Sequence, residues 1–198
     1  MSTTQPIRDK KSLQSFRNFY RDRKEHLRNY TIIVMGLNTA LRINDILHLT
    51  YDMVYQNHKV RSHIVVKERK TGKENRILLN SETRHLLAKY RKELIKTTMY
   101  QEGNPYLFPS PKKSGAPLSR YQAYRMITAA AKALNLGEHI SCHSLRKTFG
   151  YHAWKQGANQ VMLMTIFNHS SFAITRRYLC IDQDEKDSIF RTIYQNAA

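Results

Sequence analysis

Cysteine is nearly absent: Cys142 and Cys180 are the only two in 198 residues. Two thiols exclude a disulfide-framed fold and a four-thiolate zinc site, and both read as reduced thiols in or near a core. Acidic residues are also scarce, 15 against 33 lysines and arginines, which leaves a net charge of +18. No long apolar run exists. The most apolar stretch, Tyr30 to Leu37, falls far short of the roughly 20 residues that span a bilayer. Met1 to Lys11 is polar and lacks the apolar centre of a secretory signal. A cytoplasmic, nucleoid-associated location is therefore expected, with no membrane partner. There is no internal repeat and no low-complexity tract.

What is present is enough for a core. Apolar residues make up 41% of the chain, a globular and not a disordered composition. The length suits one full domain over residues 1–198. The positive excess repels itself unless a polyanion shares the load, and nucleic acid is the usual polyanion. A ribosomal or membrane-surface protein would show the same bias, so charge alone leaves those classes open.

The pattern predicts a mainly α fold with one small antiparallel β-sheet (α+β). Helices are expected over Ser12–Arg23, Asn29–Asn38 and Ile43–Leu49. Strands are expected over Met53–Tyr55, Ser62–Lys67 and Arg76–Leu79, the last two joined by a hairpin tip at Lys70–Lys73. Ser81 opens the next helix. A loop runs from Gly103 to Pro117 through Pro105, Pro109 and Pro111. Ser119 caps a helix that runs through Leu134 and ends at Gly137. Four more helices are expected, over Leu145–Gln156, Asn159–Phe167, Phe172–Leu179 and Asp184–Tyr194.

Breaking a phosphodiester without a metal sets a short list of needs. Fixed guanidiniums must hold the non-bridging oxygens. An attacking hydroxyl must lose a proton and the leaving oxygen must gain one. The chain offers such a set in order: Arg42 in Thr39-Ala40-Leu41-Arg42-Ile43-Asn44-Asp45-Ile46, Lys70 at the hairpin tip, His143 and Arg146 in His-Ser-Leu-Arg, His169 in Asn-His-Ser-Ser, and Tyr178 nine residues beyond His169. His143 and Arg146 lie three apart, on one helix face. Singly, each has an ordinary role: the arginines as surface ion pairs, His143 as a satisfied half-buried histidine, Tyr178 as one of 12 packing tyrosines. His139, Cys142 and His143 are too cramped for a metal site and lack a fourth ligand. The joint occurrence is what carries weight.

These motifs resemble the tyrosine recombinase, or phage integrase, family, over about Pro6 to Tyr194. Ala-Leu-Arg-Ile-Asn-Asp-Ile is similar to its first-arginine box, His143 to Arg146 to its His-x-x-Arg box, and Asn-His-Ser-Ser with the downstream tyrosine to its last box. The resemblance implies that Tyr178 attacks the scissile phosphate and forms a 3′-phosphotyrosyl bond, while Arg42 and Arg146 hold the non-bridging oxygens. Lys70 would protonate the 5′-hydroxyl, with Lys67 and Lys73 flanking it as alternatives. His143 would assist proton transfer, His169 would hydrogen-bond the phosphate, and Asp45 would brace the site, a role a carboxylate beside an Arg or His serves well. No cofactor and no metal is called for.

The resemblance further implies a site-specific recombinase for integration, excision or inversion, acting on double-stranded DNA sites as a homo-tetramer, with accessory DNA-bending proteins as possible partners. Larger family members carry a separate DNA-clamping domain ahead of the catalytic one; only about forty residues precede Arg42, so none is expected here. A DNA relaxer of the type IB topoisomerase kind and a non-catalytic DNA-binding regulator are the alternatives. Arg61, Lys67, Lys112, Lys113, Arg120 and Arg125 are the expected DNA-binding residues. The tail, residues 180–198, is expected to dock on a neighbouring protomer through Ile181, Ile189, Phe190 and Ile193.

Overall fold

A computed structural model describes residues 4–21, 26–96, 105–137 and 139–195. Ten helices and four short strands are present among them, so the mainly α class with small antiparallel sheets holds. Helix α1 (Lys10–Asn18) starts where the Asp9 side chain accepts the Ser12 N–H at 2.7 Å, two residues earlier than expected, and residue 23 lies outside the described residues. Helix α2 (Leu27–Thr39) is buried on nearly every face, from Thr31 to Leu37 without a break. Such a helix belongs at the centre of a fold, and α2 packs against α1, α3 (Ile43–Leu47), α5 (Ser81–Lys96), α6 (Arg120–Ala133) and α7 (Cys142–Lys155). Gly36 permits the α2–α7 approach, because a Cβ there would stand 2.5 Å from Leu145 Cδ1.

The first expected strand is mostly not a strand. Met53 and Val54 close a helical turn, α4 (Tyr51–Val54), and only Tyr55 pairs onward. Strands β1 (Tyr55–Gln56) and β2 (Lys59–Val60) form a hairpin of their own, turned through Asn57 and His58, both at positive φ. Two left-handed central residues define the tight turn that matches strand twist. The second hairpin matches expectation. Strands β3 (His63–Lys67) and β4 (Glu74–Leu78) pair from His63↔Leu78 to Lys67↔Glu74. There are thus two two-stranded sheets among the described residues, where one was expected.

Ser119 caps α6 in a reciprocal box with Gln122. Gly137 does not end that helix. Asn135 takes the left-handed conformation and the Leu136 N–H reaches back to the Ala131 carbonyl at 3.1 Å, the wrapped helix end usually given to glycine. After α7 come α8 (Gln160–Phe167), α9 (Phe172–Leu179) and α10 (Asp182–Gln195).

The main core joins α1 to α7 and the β3–β4 hairpin. A second, smaller core of Ala40, Tyr151, Leu163, Phe167, Leu179 and Ile181 lies between α7, α8 and α9. Gly150 makes it possible: a Cβ there would collide with Leu179 and stand 2.6 Å from Phe167 Cζ. Ile181 is fully buried in this core, which corrects its expected place on a docking surface. The start of α10 is tied to the rest of the chain by Arg8–Asp184 and by Arg176 with Asp182 and Glu185. Among the described residues no helix is long and apolar enough to cross a membrane.

Candidate active site

Three chain reversals place the candidate side chains. Helix α2 ends at Ala40, α8 at Asn168 and α9 at Cys180, each in the left-handed conformation and none a glycine. Arg42 follows the first reversal as the N-cap of α3. His169 follows the second, and Tyr178 precedes the third. Left-handed backbone costs an alanine roughly 1–2 kcal/mol, and here it turns the Ala40 carbonyl onto Arg146.

Arg146 is the anchor of the cluster, only 2% exposed. Its Nη1 donates to the Ala40 carbonyl and meets Glu68 Oε1 at 3.4 Å, and its Nη2 donates to the Phe167 carbonyl at 3.1 Å. The guanidinium also lies over the Phe167 ring, 4.8 Å from its centroid. Arg42 is more open, 18% exposed by side chain, and its Nη1 pairs with Glu68 Oε2 at 2.5 Å. Burial would push the Glu68 carboxyl up, but the Thr71 hydroxyl and the two guanidiniums outweigh it and hold it below the ordinary value. Glu68 is therefore a carboxylate shared by two arginines.

Tyr178 stands against the same cluster. Its ring packs on His169 at 5.3 Å and on Phe167 at 5.5 Å. Burial raises the phenol above its ordinary value, although Arg146 and Arg42 pull the other way, so a proton must be removed before the oxygen can attack. His169 is oriented by Nδ1, which lies 3.1 Å from the buried Thr175 hydroxyl. Burial first, then Arg146 and Arg42, lower His169; burial first, then Arg120, Lys147, Lys70 and Arg42, lower His143. Both imidazoles are thus biased toward the neutral form at neutral pH, able to accept a proton.

Arg42, His143, Arg146, His169 and Tyr178 are therefore brought together within one protomer. Lys70 is exposed in the hairpin tip, and its charge acts on both His143 and His169. Lys67, in β3, and Lys73 are exposed as well. Asp45 acts on a backbone group and not on an Arg or His side chain. Its Oδ1 accepts the Arg69 backbone N–H at 3.0 Å, so it grips the Lys70 turn, while its buried Oδ2 meets no hydrogen-bond donor among the described residues. The structure adds Glu68, Thr71 and Thr175, which the motifs did not single out. Glu68 had a signal: it continues the inward register of Ile64 and Val66, where a charge demands a partner.

Of the expected DNA-binding residues, Arg120 comes near the cluster, since its charge reaches His143. Arg125 is exposed on the same helix, α6, with its guanidinium over the Tyr121 ring. Lys67, Lys112 and Lys113 are exposed. Arg61 is engaged by Gln56 Oε1 at 2.9 Å and the Asp52 carbonyl at 3.3 Å.

Two guanidiniums on one buried carboxylate, with a buried tyrosine against an imidazole beside them, fit a tyrosine-type enzyme of phosphodiester chemistry. Comparison with known proteins agrees. The phage integrase family profile matches residues 8–185. A probable integrase/recombinase, YoeC of Bacillus subtilis (strain 168), is 37% identical over 191 residues, 96% of this chain and 97% of that protein. The crystal structure of XerA recombinase superimposes with a TM-score of 0.75 at 21% identity, over 98% of this chain and 66% of that one. XerH recombinase bound to a palindromic difH substrate, in a post-cleavage complex, gives 0.72 at 21% identity, over 96% of this chain and 53% of that one. The chain belongs to the phage integrase family and is a tyrosine-type recombinase. It spans about half to two thirds of the solved recombinases it matches.

Proposed function

We propose that this chain cleaves and rejoins double-stranded DNA at specific sites through a 3′-phosphotyrosyl bond to Tyr178. The observation that carries this is the Tyr178 ring against His169 and Phe167, with the Arg146 guanidinium over that same Phe167 ring and Arg42 on the same carboxylate as Arg146. Arg42 and Arg146 hold the non-bridging oxygens and answer the charge that builds in the transition state. The phenol proton leaves through the imidazoles. Lys70 returns a proton to the departing 5′-oxygen, and Asp45 holds the Lys70 turn in reach. DNA as partner is supported by the net charge and by the DNA complex of XerH.

Assembly on DNA as a homo-tetramer, with accessory DNA-bending proteins, extends this reading. Exchange of two duplexes needs four cleaved strands. Ile189 and Phe190 of α10, 59% and 68% exposed, are the apolar surface for docking on a neighbouring protomer; the Ile193 side chain lies outside the described residues. Truncation after Ile181, which keeps the second core whole, leaves folding and DNA binding intact and abolishes synapsis in light scattering with paired sites. Tetramers formed by the truncated chain sink the docking idea. The central test is Tyr178→Phe on a nicked suicide substrate. DNA binding survives and the denaturation-resistant adduct disappears; an adduct that persists removes Tyr178 as nucleophile. Plasmid relaxation without paired sites would favour a topoisomerase-like activity instead.

A further inference from the structure

Among the described residues, Glu68 is the one carboxylate that touches both arginines, and its position in the chain gives that contact meaning. Strand β3 alternates, with Ile64 and Val66 inward, and Glu68 keeps the inward register one step past the strand. Its side chain has no exposed surface. The two oxygens divide their work: Oε1 meets Arg146, while Oε2 meets Arg42 and accepts the Thr71 hydroxyl at 2.8 Å. The oxygens of one carboxylate keep a fixed separation, so the two guanidiniums are spaced by it. The hairpin tip hangs from the same residue. The Glu68 N–H donates to the Lys73 carbonyl at 2.9 Å, and the Gly72 N–H donates to the Glu68 carbonyl at 2.8 Å. Lys70 sits in that closed turn.

We infer that Glu68 is a positioning residue: it spaces the two phosphate-binding arginines and locks them to the turn that carries Lys70. The inference rests on the recombinase reading above. Glu68 is not a stand-in that DNA displaces. Solvent reaches Arg42 but not Glu68, so the carboxylate lies behind the guanidiniums. Arg146 also keeps donors in reserve: two carbonyls and Glu68 take three of the five N–H groups of a guanidinium, which leaves two for a phosphate. Without the carboxylate, two like charges would face each other in a buried site and separate. With it, they are held apart at one spacing before DNA arrives, which is the preorganisation that electrostatic catalysis needs.

The test is Glu68→Gln beside Glu68→Asp. Gln keeps the size but replaces one acceptor with a donor, which turns away one guanidinium. Cleavage of a suicide substrate falls about 10- to 100-fold, the range commanded by outer partners of a charged site, while DNA affinity changes less than about 3-fold. The second readout does not depend on cleavage. His169 faces Arg146, Arg42 and Lys70 as cations and Glu68 as the anion that opposes them. Its titration by NMR moves to lower pH in Glu68→Gln and stays near its original position in Glu68→Asp. If Glu68→Gln fails to fold, Thr71→Ala replaces it. Thr71 is exposed, and its loss frees the bond to Oε2 and a longer one accepted from the Lys73 N–H at 3.4 Å, so a few-fold loss of cleavage at unchanged melting temperature is expected. Normal cleavage with an unmoved His169 in Glu68→Gln, or full cleavage in Thr71→Ala, overturns the inference. Failure of the recombinase reading looks different: the unaltered protein itself forms no adduct.

Discussion

Arg42→Lys and Arg146→Lys remove the same guanidinium fork from two different settings, and they should not behave alike. Each keeps a positive charge but loses the planar, two-pronged grip on phosphate oxygens. A guanidinium acting on a phosphoryl transition state is worth roughly 10³ to 10⁵ in rate, so cleavage falls by at least about 10³ in both. Stability separates them. Arg146 is 2% exposed and serves the Ala40 and Phe167 carbonyls together with Glu68. A lysine ammonium cannot span all three. One buried carbonyl left without a donor costs about 1–3 kcal/mol. For a chain of this length each kcal/mol lowers the melting temperature by about 2–4 °C, so a fall of roughly 2–12 °C is expected. Arg42 is more open and its ion pair with Glu68 is one a lysine can partly keep, so Arg42→Lys melts within about 2 °C of the unaltered chain. Thermal melts and suicide-substrate cleavage on the same preparations decide the matter. Near-normal cleavage in either variant takes that residue out of the active site, and equal melting temperatures refute the anchoring role given to Arg146.

Gly150→Ala puts a methyl into Phe167 and Leu179; overpacking of this kind costs about 1–3 kcal/mol, and since those side chains sit next to His169 and Tyr178, cleavage should fall along with the melting temperature. An unchanged melt would mean that α8 and α9 yield freely. Burial and neighbouring cations lower both His143 and His169 in the folded chain, so the unfolded chain binds more protons. Their contribution to stability is present above the unfolded value of about 6.5 and is lost as pH falls below it; His143→Gln with His169→Gln should flatten that slope, and an unchanged slope between about pH 5 and 7 counts against the burial account. Cleavage should persist in excess chelator, because the arginines and Lys70 supply the charge; loss with rescue by zinc or magnesium would overturn that mechanism. Neutralising Lys67, Lys112, Lys113, Arg120 or Arg125 singly should lower the slope of log affinity against log salt by about one wherever that side chain neutralises a phosphate. Slopes unchanged throughout would put the DNA on another face.

The helices and the β3–β4 hairpin were legible because their signals are local. The β-branched run from Ile64 to Val66, the Gly72 tip and the Ser119 cap each act within a few residues. Met53 and Val54 show the limit of such signals. Two apolar residues fit a strand or a helical turn equally well, and the neighbouring pairing, Thr50 with Tyr106 more than fifty residues on, is one that the local pattern does not contain. Gly137 shows another limit. Glycine is the expected end of a helix, yet Asn135 took the left-handed position, as short polar side chains can.

The candidate site residues were legible as a set because each is named by its chemistry and order. Their supports were not, and the reason is physical. Arg146 is held by two backbone carbonyls, and a carbonyl has no letter in the sequence. One of them is aimed by Ala40 at φ 55, a strained conformation that alanine does not advertise. Asp45 was visible as a brace but not as a brace for a backbone N–H on the far hairpin. Glu68 was visible only by combining two facts: the strand's inward register, and the rule that a buried carboxylate needs a cation. That combination points to an arginine or lysine across the core. It cannot say that the partners are two arginines already assigned to the phosphate. The strain at Ala40 and the buried charge at Glu68 are both costs to folding, and both converge on Arg146. A fold that carries two such costs at one guanidinium is a fold in which the position of that guanidinium is what is being held.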